Sequence, residues 1–262
     1  MQPGIEVPKD ARPPKATCQY CGRPLVPIAF SVSGGQVIFD WYCDCEAARQ
    51  ARNLAREKRM KSDLDSVLAK NIRAEISKSG IPIRFQSASA PRLPERGAYL
   101  FGPVGSGKTY WACADGLFAI REGKKVIFTT LAEILTKVKS TFGKSSDLSE
   151  RDVLIPYISC DLLIIDDLGR GQITEWGIEH LFQLVDARWR DSRRMVVTSN
   201  YERDELGEMM SAAGDRRKVQ AILSRLFELP KIAVSGGDRR CLPPRQRMSL
   251  SSTVKAEHSI HV

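Results

Sequence analysis

Three groups of residues in this chain have types and spacing suited to chemistry. The first is Gly102-Pro-Val-Gly-Ser-Gly-Lys-Thr109, a G-x-x-x-x-G-K-T segment. Its glycines let backbone N–H groups converge on phosphate oxygens, and a helix N-terminus behind them adds partial positive charge. Lys108 can reach the β- and γ-phosphates, and the Thr109 hydroxyl is placed to ligate Mg²⁺. Nucleotide contacts, with ATP and Mg²⁺ as cofactors, are therefore expected from Gly102, Pro103, Val104, Gly105, Ser106, Gly107, Lys108, Thr109 and Tyr110. The second group is Asp166 and Asp167, which close the apolar run Leu162–Ile165, with Asn200 closing the run that starts at Met195. Asp166 would hold Mg²⁺ directly or through water, Asp167 would polarise an attacking water, and Asn200 would orient that water or touch the γ-phosphate. The third group is Cys18, Cys21, Cys43 and Cys45, a C-x2-C pair followed by a C-x-C pair. Two thiolate pairs joined by a hairpin suit a tetrahedral Zn²⁺ site of structural type, with a redox dithiol or unliganded thiols as the open alternatives.

Each group needs elements to hold it. Ala98–Phe101 reads as a strand feeding the glycine-rich turn, and Lys108–Arg121 as the helix leaving it. Lys125–Thr130, Asp161–Asp167, Met195–Asn200 and Glu228–Val234 read as four further strands. A wholly apolar strand ending in carboxylates is what a buried parallel strand delivers to the ligand-binding edge of an open α/β sheet. Helices are expected over Leu131–Phe142, Thr174–Arg190, Glu202–Met210 and Arg216–Phe227. In the first of these, Leu131, Ile134, Leu135 and Val138 should face inward, and Lys137 and Lys139 outward. Residues 143–152 read as a polar loop, and the tryptophans as core. Around the cysteines, Val37–Tyr42 reads as a strand after a Ser33-Gly34-Gly35 turn, and Gly22 suits a tight knuckle.

Between these regions, residues 46–79 read as one charged helix. Arg49, Arg52, Arg56 and Arg59 make a basic stripe, either a solvated face or one turned to nucleic acid or a partner. Leu64, Val67, Leu68 and Ile72 make an apolar face expected to pack. Gly80 and Pro82 should stop the helix. The expected organisation is a flexible leader and cysteine module over 1–46, a basic helical linker over 47–80, an α/β domain over 81–240 and a disordered tail over 241–262.

The chain has 262 residues, 42% hydrophobic and 27% charged, with a formal net charge of +9. The apolar runs are too short to span a bilayer and no signal peptide is evident, so a cytoplasmic location without membrane partners is expected. The positive charge suggests a polyanionic partner. Seven cysteines, four of them close together near the N-terminus, favour a metal over a disulfide framework in a reducing compartment.

With the phosphate loop, the Asp166-Asp167 strand, Val197-Thr-Ser-Asn200 and Ser224-Arg-Leu226 in this order, the chain resembles the AAA+ ATPases. More narrowly it is similar to the DnaC/DnaI helicase loaders, with the IstB-like transposition helpers as close relatives. Ser79-Gly-Ile-Pro-Ile-Arg-Phe85, Thr174-Glu-Trp176 and Asp186-Ala-Arg-Trp189 also carry this resemblance, which covers about residues 79–240. It implies a P-loop domain with a parallel five-stranded sheet between helices, in which Arg225 is an arginine finger offered to a neighbour's nucleotide. Subunits would then assemble through the ATP interface, and hydrolysis would require that assembly. The family function implied is ATP-dependent loading of a replicative hexameric helicase onto single-stranded DNA, with the helicase docked on the N-terminal region. Delivery of a transposase to target DNA, or a non-catalytic ATP-binding adaptor, are the alternatives. Single-stranded DNA contacts are expected from Lys137, Lys139 and Phe142, charge beside a stacking ring. Arg240 is a weaker candidate for nucleotide sensing. The pattern departs from most AAA+ proteins in having Asp167 where Glu is usual, which suggests slow turnover. Little chain follows residue 240, so no helical lid and an open nucleotide site are expected.

Overall fold

A computed structural model of the chain describes residues 17–31, 37–142, 149–171, 173–235 and 255–256; side chains of 27–31, 37–40 and 255–256 are not described. The leader, the Ser33–Gly35 turn, Arg240 and most of the tail lie outside the described residues. The chain divides into two compact units, 1–70 and 71–262.

In the first unit, β1 (Val26–Ser31) and β2 (Val37–Tyr42) pair antiparallel, with Val26 opposite Tyr42 and Ser31 opposite Val37. Helix α1 (Glu46–Lys78) begins directly after the last cysteine of the cluster. Its basic stripe is exposed, and Arg52 is partly engaged, since Nη1 donates to the Cys43 carbonyl oxygen at 2.8 Å. The expected packing of the apolar stripe is not found at Leu64, Val67 or Leu68, which are exposed. A helix this rich in Lys, Arg and Glu forms from propensity and i,i+4 pairing without needing a buried face. On α1, Ala48 packs with Cys18 and Cys43 in the first unit, and Ile72 and Ile76 pack against the core of the second. The division of the chain accordingly falls before them rather than at residue 80.

The second unit is built on the strands β3 (Gly97–Phe101), β4 (Val126–Thr130), β5 (Leu162–Leu168), β6 (Arg194–Ser199) and β7 (Lys231–Ala233). They are parallel, as the sequence predicts, and run in the order β4-β5-β6-β3-β7. A short segment in the expected tail, β8 (Lys255–Ala256), adds an antiparallel edge to β7.

Alternation along the strands sends side chains to both faces, and both faces are covered. Ala98, Leu100, Leu162, Ile164 and Val196 pack under α2 (Lys108–Arg121) and the segment around Ile81–Leu93. Tyr99, Leu163, Ile165 and Val197 pack under α3 (Leu131–Lys139), α4 (Glu150–Ser159), α5 (Glu175–Arg190), α6 (Arg203–Ser211) and α7 (Arg216–Leu226). Burying strands on both sides is what makes their sequences continuous apolar runs. Gly80 ends α1 at φ +81°, and a Cβ there would lie 2.5 Å from the Phe128 carbonyl oxygen on β4. The chain can pass that close only with glycine.

Three local expectations are corrected. Residues 150–152, expected to close the polar loop 143–152, instead open α4: Ser149 accepts from the Asp152 N–H while the Asp152 side chain accepts from the Ser149 N–H. Such a reciprocal cap stabilises a first turn by satisfying donors that have no intrahelical partner. The helix after β4 ends at Lys139 and tightens into a 3-10 turn over Ser140–Phe142. Among the tryptophans, Trp111 is core, Trp176 is half-buried, and Trp189 is 46% exposed.

Candidate nucleotide site and cysteine cluster

The loop between β3 and α2 curls at the C-terminal edge of the sheet. Gly102 has φ +142°, and a Cβ on it would lie 2.4 Å from the Val234 carbonyl oxygen, so the close passage of this loop beside the chain leaving β7 requires glycine. Gly105 and Gly107 also take positive φ, which turns successive loop N–H groups toward one concavity. Lys108 is buried, and its Nζ donates to the carbonyl oxygens of Gly102 and Pro103, each at 2.8 Å. Ser106 is fully buried and its hydroxyl has no hydrogen-bond partner. An orphaned hydroxyl and a buried ammonium on one glycine-rich loop fit the phosphates of a nucleotide.

The metal side is assembled from two strand ends and the start of α2. Thr109 Oγ1 lies 3.0 Å from Asp166 Oδ1 and 3.2 Å from Oδ2. Thr198 Oγ1 donates to Asp166 Oδ1 at 2.7 Å and accepts from the Asp167 N–H at 2.8 Å. The β5–β6 register shifts between Ile165 and Leu168, and Asp167 takes φ +57°. This bulge turns the second carboxylate away from the ladder, and aspartate is one of the few residues that tolerates that conformation. Asp167 Oδ1 then accepts from Asn200 Nδ2 at 3.2 Å and Oδ2 from Arg170 at 3.1 Å. Burial raises the Asp166 carboxyl above the usual range, against the lowering pull of the Thr198 and Thr109 hydroxyls. A buried carboxylate flanked by a threonine from the phosphate loop is a donor set that suits a hard divalent cation such as Mg²⁺.

Lys108, Thr109, Asp166, Asp167 and Asn200 are thus joined by fixed contacts or shared loops. Thr198 and Arg170 are further members that the sequence reading did not single out; a threonine inside the apolar strand Met195-Val-Val was the available signal. The Tyr110 hydroxyl bonds to the Ser89 backbone, and its ring meets Phe85 edge-on at 6.3 Å. Arg225 is not brought to this constellation. Its contacts are Asp186, the Ala221 carbonyl oxygen and two aromatic rings, all on α5 and α7.

Lys137, Lys139 and Phe142 do gather. Lys139 Nζ lies 5.3 Å from the centroid of the Trp176 ring, Phe142 meets the same ring edge-on at 5.9 Å, and Lys137 bonds to the Tyr157 hydroxyl at 2.9 Å. Phe142 is 59% exposed. Trp176, half-buried against the core, thus also borders this surface.

In the cysteine cluster the four Sγ atoms lie within 4.8 Å of one another, with Cys18 to Cys45 at 3.9 Å and Cys21 to Cys43 at 3.5 Å. A tetrahedral zinc with Zn–S bonds of about 2.3 Å sets its sulfurs about 3.8 Å apart, so the spacing fits. The first pair sits on a tight turn closed by the Gly22 N–H donating to the Cys18 carbonyl oxygen at 2.8 Å, with Gly22 at φ +70°. The Cys18 thiol is held down to about 7, chiefly by the Tyr20 backbone N–H, which favours the thiolate that metals bind.

The model of the IstB-like ATP binding protein family matches residues 95–243. A replicative helicase loader DnaC of Buchnera aphidicola is 33% identical over 115 residues, 44% of this chain and 46% of that protein. DnaC of Escherichia coli K12 is 29% identical over 109 residues, 42% and 44% of the two chains. An insertion-sequence ATP-binding protein of Sinorhizobium fredii is 31% identical over 127 residues, 48% of this chain and 40% of that one. The chain thus spans less than half the length of these curated relatives. Among solved structures, a DnaC helicase loader superposes with a TM-score of 0.45 at 18% identity, covering 58% of this chain and 85% of that one. DnaI gives 0.45 at 21%, covering 58% and 80%. The family match takes in β3 through β7 and every member of the nucleotide constellation, and with more than half of its residues inside that match, this chain belongs to the IstB-like ATP-binding protein family.

Proposed function

We propose that this protein is an ATP-switched AAA+ loader that places a replicative hexameric helicase on single-stranded DNA in the cytoplasm. The observation that carries the ATPase part is the chain of contacts from Thr109 through Asp166 and Thr198 to Asp167 and Asn200. On this reading the loop amides and Lys108 hold the phosphates, and Thr109 and Asp166 hold Mg²⁺. Mg²⁺-bound ATP supplies the phosphoryl group whose transfer to water drives the switch. Asp167, aligned by Asn200, accepts the proton of that water. Arg225 of an adjoining copy completes the charge stabilisation, so copies assemble through the ATP interface and single-stranded DNA stimulates turnover by favouring assembly.

Support for the loader role comes from the relatives named as replicative helicase loaders. The four cysteines would hold Zn²⁺ and, with α1, form the docking region for the helicase. Lys137, Lys139 and Phe142, joined by Trp176, would receive the DNA: the ammonium groups meet phosphates while the rings stack on bases.

A second reading, a helper ATPase that delivers a transposase to DNA, is favoured by the family description and by the insertion-sequence relative. Reconstitution separates the two. The full-length protein is incubated with ATP, coated single-stranded DNA circles and the replicative helicase of the same organism, and helicase retained on DNA is measured. ATP-dependent retention is expected. Failure to retain the helicase, together with ATP-dependent capture of a transposase encoded beside the gene, would replace the loader reading by the second.

A further inference from the structure

One guanidinium in the second unit sits in a cage of unusual construction. Arg225, near the end of α7, sends Nη2 to Asp186 Oδ1 at 2.7 Å and Nη1 to the Ala221 carbonyl oxygen at 2.8 Å. Its central carbon lies 4.9 Å from the centroid of the Trp189 ring and 5.5 Å from that of Phe182. Phe182, Asp186 and Trp189 are spaced four and three residues apart on α5, so they share one helix face. Trp189 is itself held, its Nε1 donating to Glu228 at 2.8 Å.

The cage is incomplete. Arg225 keeps 21% of its side-chain exposure, and its Nε is buried without a hydrogen-bond partner. Of the five N–H donors of a guanidinium, two are accounted for by Asp186 and Ala221. Arg188, two positions along α5 from Asp186, shows the contrasting arrangement: it is fully buried and its Nη groups meet four backbone carbonyl oxygens. Each arginine buries an Nε without a partner, but the Nη groups of Arg188 are consumed by backbone carbonyls, whereas Arg225 is oriented and stays partly exposed.

We propose that Asp186 is the positioning residue of Arg225. It fixes one edge of the guanidinium while the Phe182 and Trp189 rings fix its plane, so the remaining donors point where a phosphate of an adjoining copy's nucleotide arrives. This rests on the role in trans assigned to Arg225 above. The physical basis is that a guanidinium is planar: a carboxylate on one Nη and two rings beside it restrict the directions its remaining Nη hydrogens can take. Asp186 then acts on turnover only through Arg225, and it acts from the subunit that donates the arginine.

Mixed assemblies test this. Lys108→Ala protein cannot use its own nucleotide site but carries Arg225; Arg225→Ala protein has an intact site and no arginine to donate. Mixing the two is expected to restore hydrolysis that neither has alone. Adding Asp186→Asn to the Lys108→Ala donor should lower the restored kcat on the order of 10²-fold, the scale of a misplaced reacting group, with KM for ATP unchanged. Adding Asp186→Asn to the Arg225→Ala acceptor should leave the restored rate as it was, and Asp186→Glu in the donor should recover part of the loss. An equal loss from donor and acceptor would mean that Asp186 serves only the packing of α5 on α7, and would overturn the proposal. So would full activity with the substituted donor. If the first mixture restores nothing, the role of Arg225 in trans fails, and the positioning role fails with it.

Discussion

The two edges of the parallel sheet both carry charge into buried positions, and they treat it differently. At the edge where the strands begin, Arg188 is fully buried and, apart from its Nε, is taken up by the carbonyl oxygens of Tyr157, Ile158, Cys160 and Arg194. Asp115, also fully buried, meets Arg194 at 2.9 Å and the Leu93 N–H at 3.2 Å. These groups tie the end of α4, the start of β6 and the chain before β3 to one another. At the edge where the strands end, Ser106 is buried with an orphaned hydroxyl and burial pushes the Asp166 carboxyl up. A buried charge is therefore not in itself the mark of a functional site. What sets the ligand edge apart is that an orphaned hydroxyl and a buried ammonium share one glycine-rich loop beside a raised carboxyl, whereas the orphaned Arg188 Nε belongs to a guanidinium otherwise spent on backbone carbonyls.

That contrast can be broken by substitutions at each edge. The largest effect is expected at the ligand edge on turnover. Asp167→Asn keeps the side-chain shape and the tolerance for positive φ but removes the charge, and should lower kcat by about 10²–10⁴-fold with little change in unfolding midpoint. Steady-state hydrolysis alongside thermal unfolding reads both, and a large loss of stability would place Asp167 among the structural groups instead.

Next comes the opposite edge, where the effect should fall on stability. Arg188→Met leaves four carbonyl oxygens short of a donor and should cost about 3 kcal/mol or more in urea unfolding, because unsatisfied buried acceptors lose their hydration without recompense. Nucleotide affinity of the folded fraction should be retained. A variant as stable as the parent, but with weakened nucleotide binding, would reverse the assignment of the two edges.

The smallest effect is the most diagnostic, because its sign is inverted. Asp166 has a carboxyl raised by burial, so its contribution to stability is present below the ordinary carboxylate range and is lost as pH rises through the raised value. Without nucleotide, Asp166→Asn should therefore stabilise the protein slightly at neutral pH and leave stability at acid pH nearly unchanged. It should also abolish the added stabilisation by Mg²⁺ and ATP. Melting curves from acid to neutral pH, with and without Mg²⁺-ATP, measure all three, and destabilisation at neutral pH would show Asp166 to be a structural carboxylate.

Much of this organisation was legible in the sequence, for reasons that can be named. Gly102 to Thr109 was readable because only glycine permits the backbone to pass beside Val234 and turn its amides inward. The five strands were readable because burial on both faces demands uninterrupted apolar residues, as in Leu162–Ile165, and the carboxylates that end that run mark the edge. Cys18, Cys21, Cys43 and Cys45 were readable because paired thiols at short spacing can meet across a hairpin. Each of these signals is built of pieces that are local in the chain: a glycine loop, an apolar run, a pair of cysteines two or three residues apart.

What the sequence hid was either a local signal outweighed by its neighbours or a matter of partners far apart in the chain. Helix α4 was masked by a polar start, although the Ser149–Asp152 cap announced it locally; the cap was outweighed by the charged residues around it. The exposure of Leu64, Val67 and Leu68 follows from the absence of a facing element among the described residues, which spacing within a helix cannot reveal.

The sequence by itself determined the chemistry available to this protein: a phosphate loop, two carboxylates and an asparagine at strand ends, and a four-thiol cluster. Tertiary structure alone decided that Thr198 joins Asp166 to Asp167, that the Nη groups of Arg188 are consumed while Arg225 is held partly exposed, and that Trp176 stands beside Phe142. Local signals report what a backbone can do over a few residues. The use made of a hydroxyl, a guanidinium or an indole is settled by the hydrogen bonds, charges and rings that folding brings to it from elsewhere in the chain.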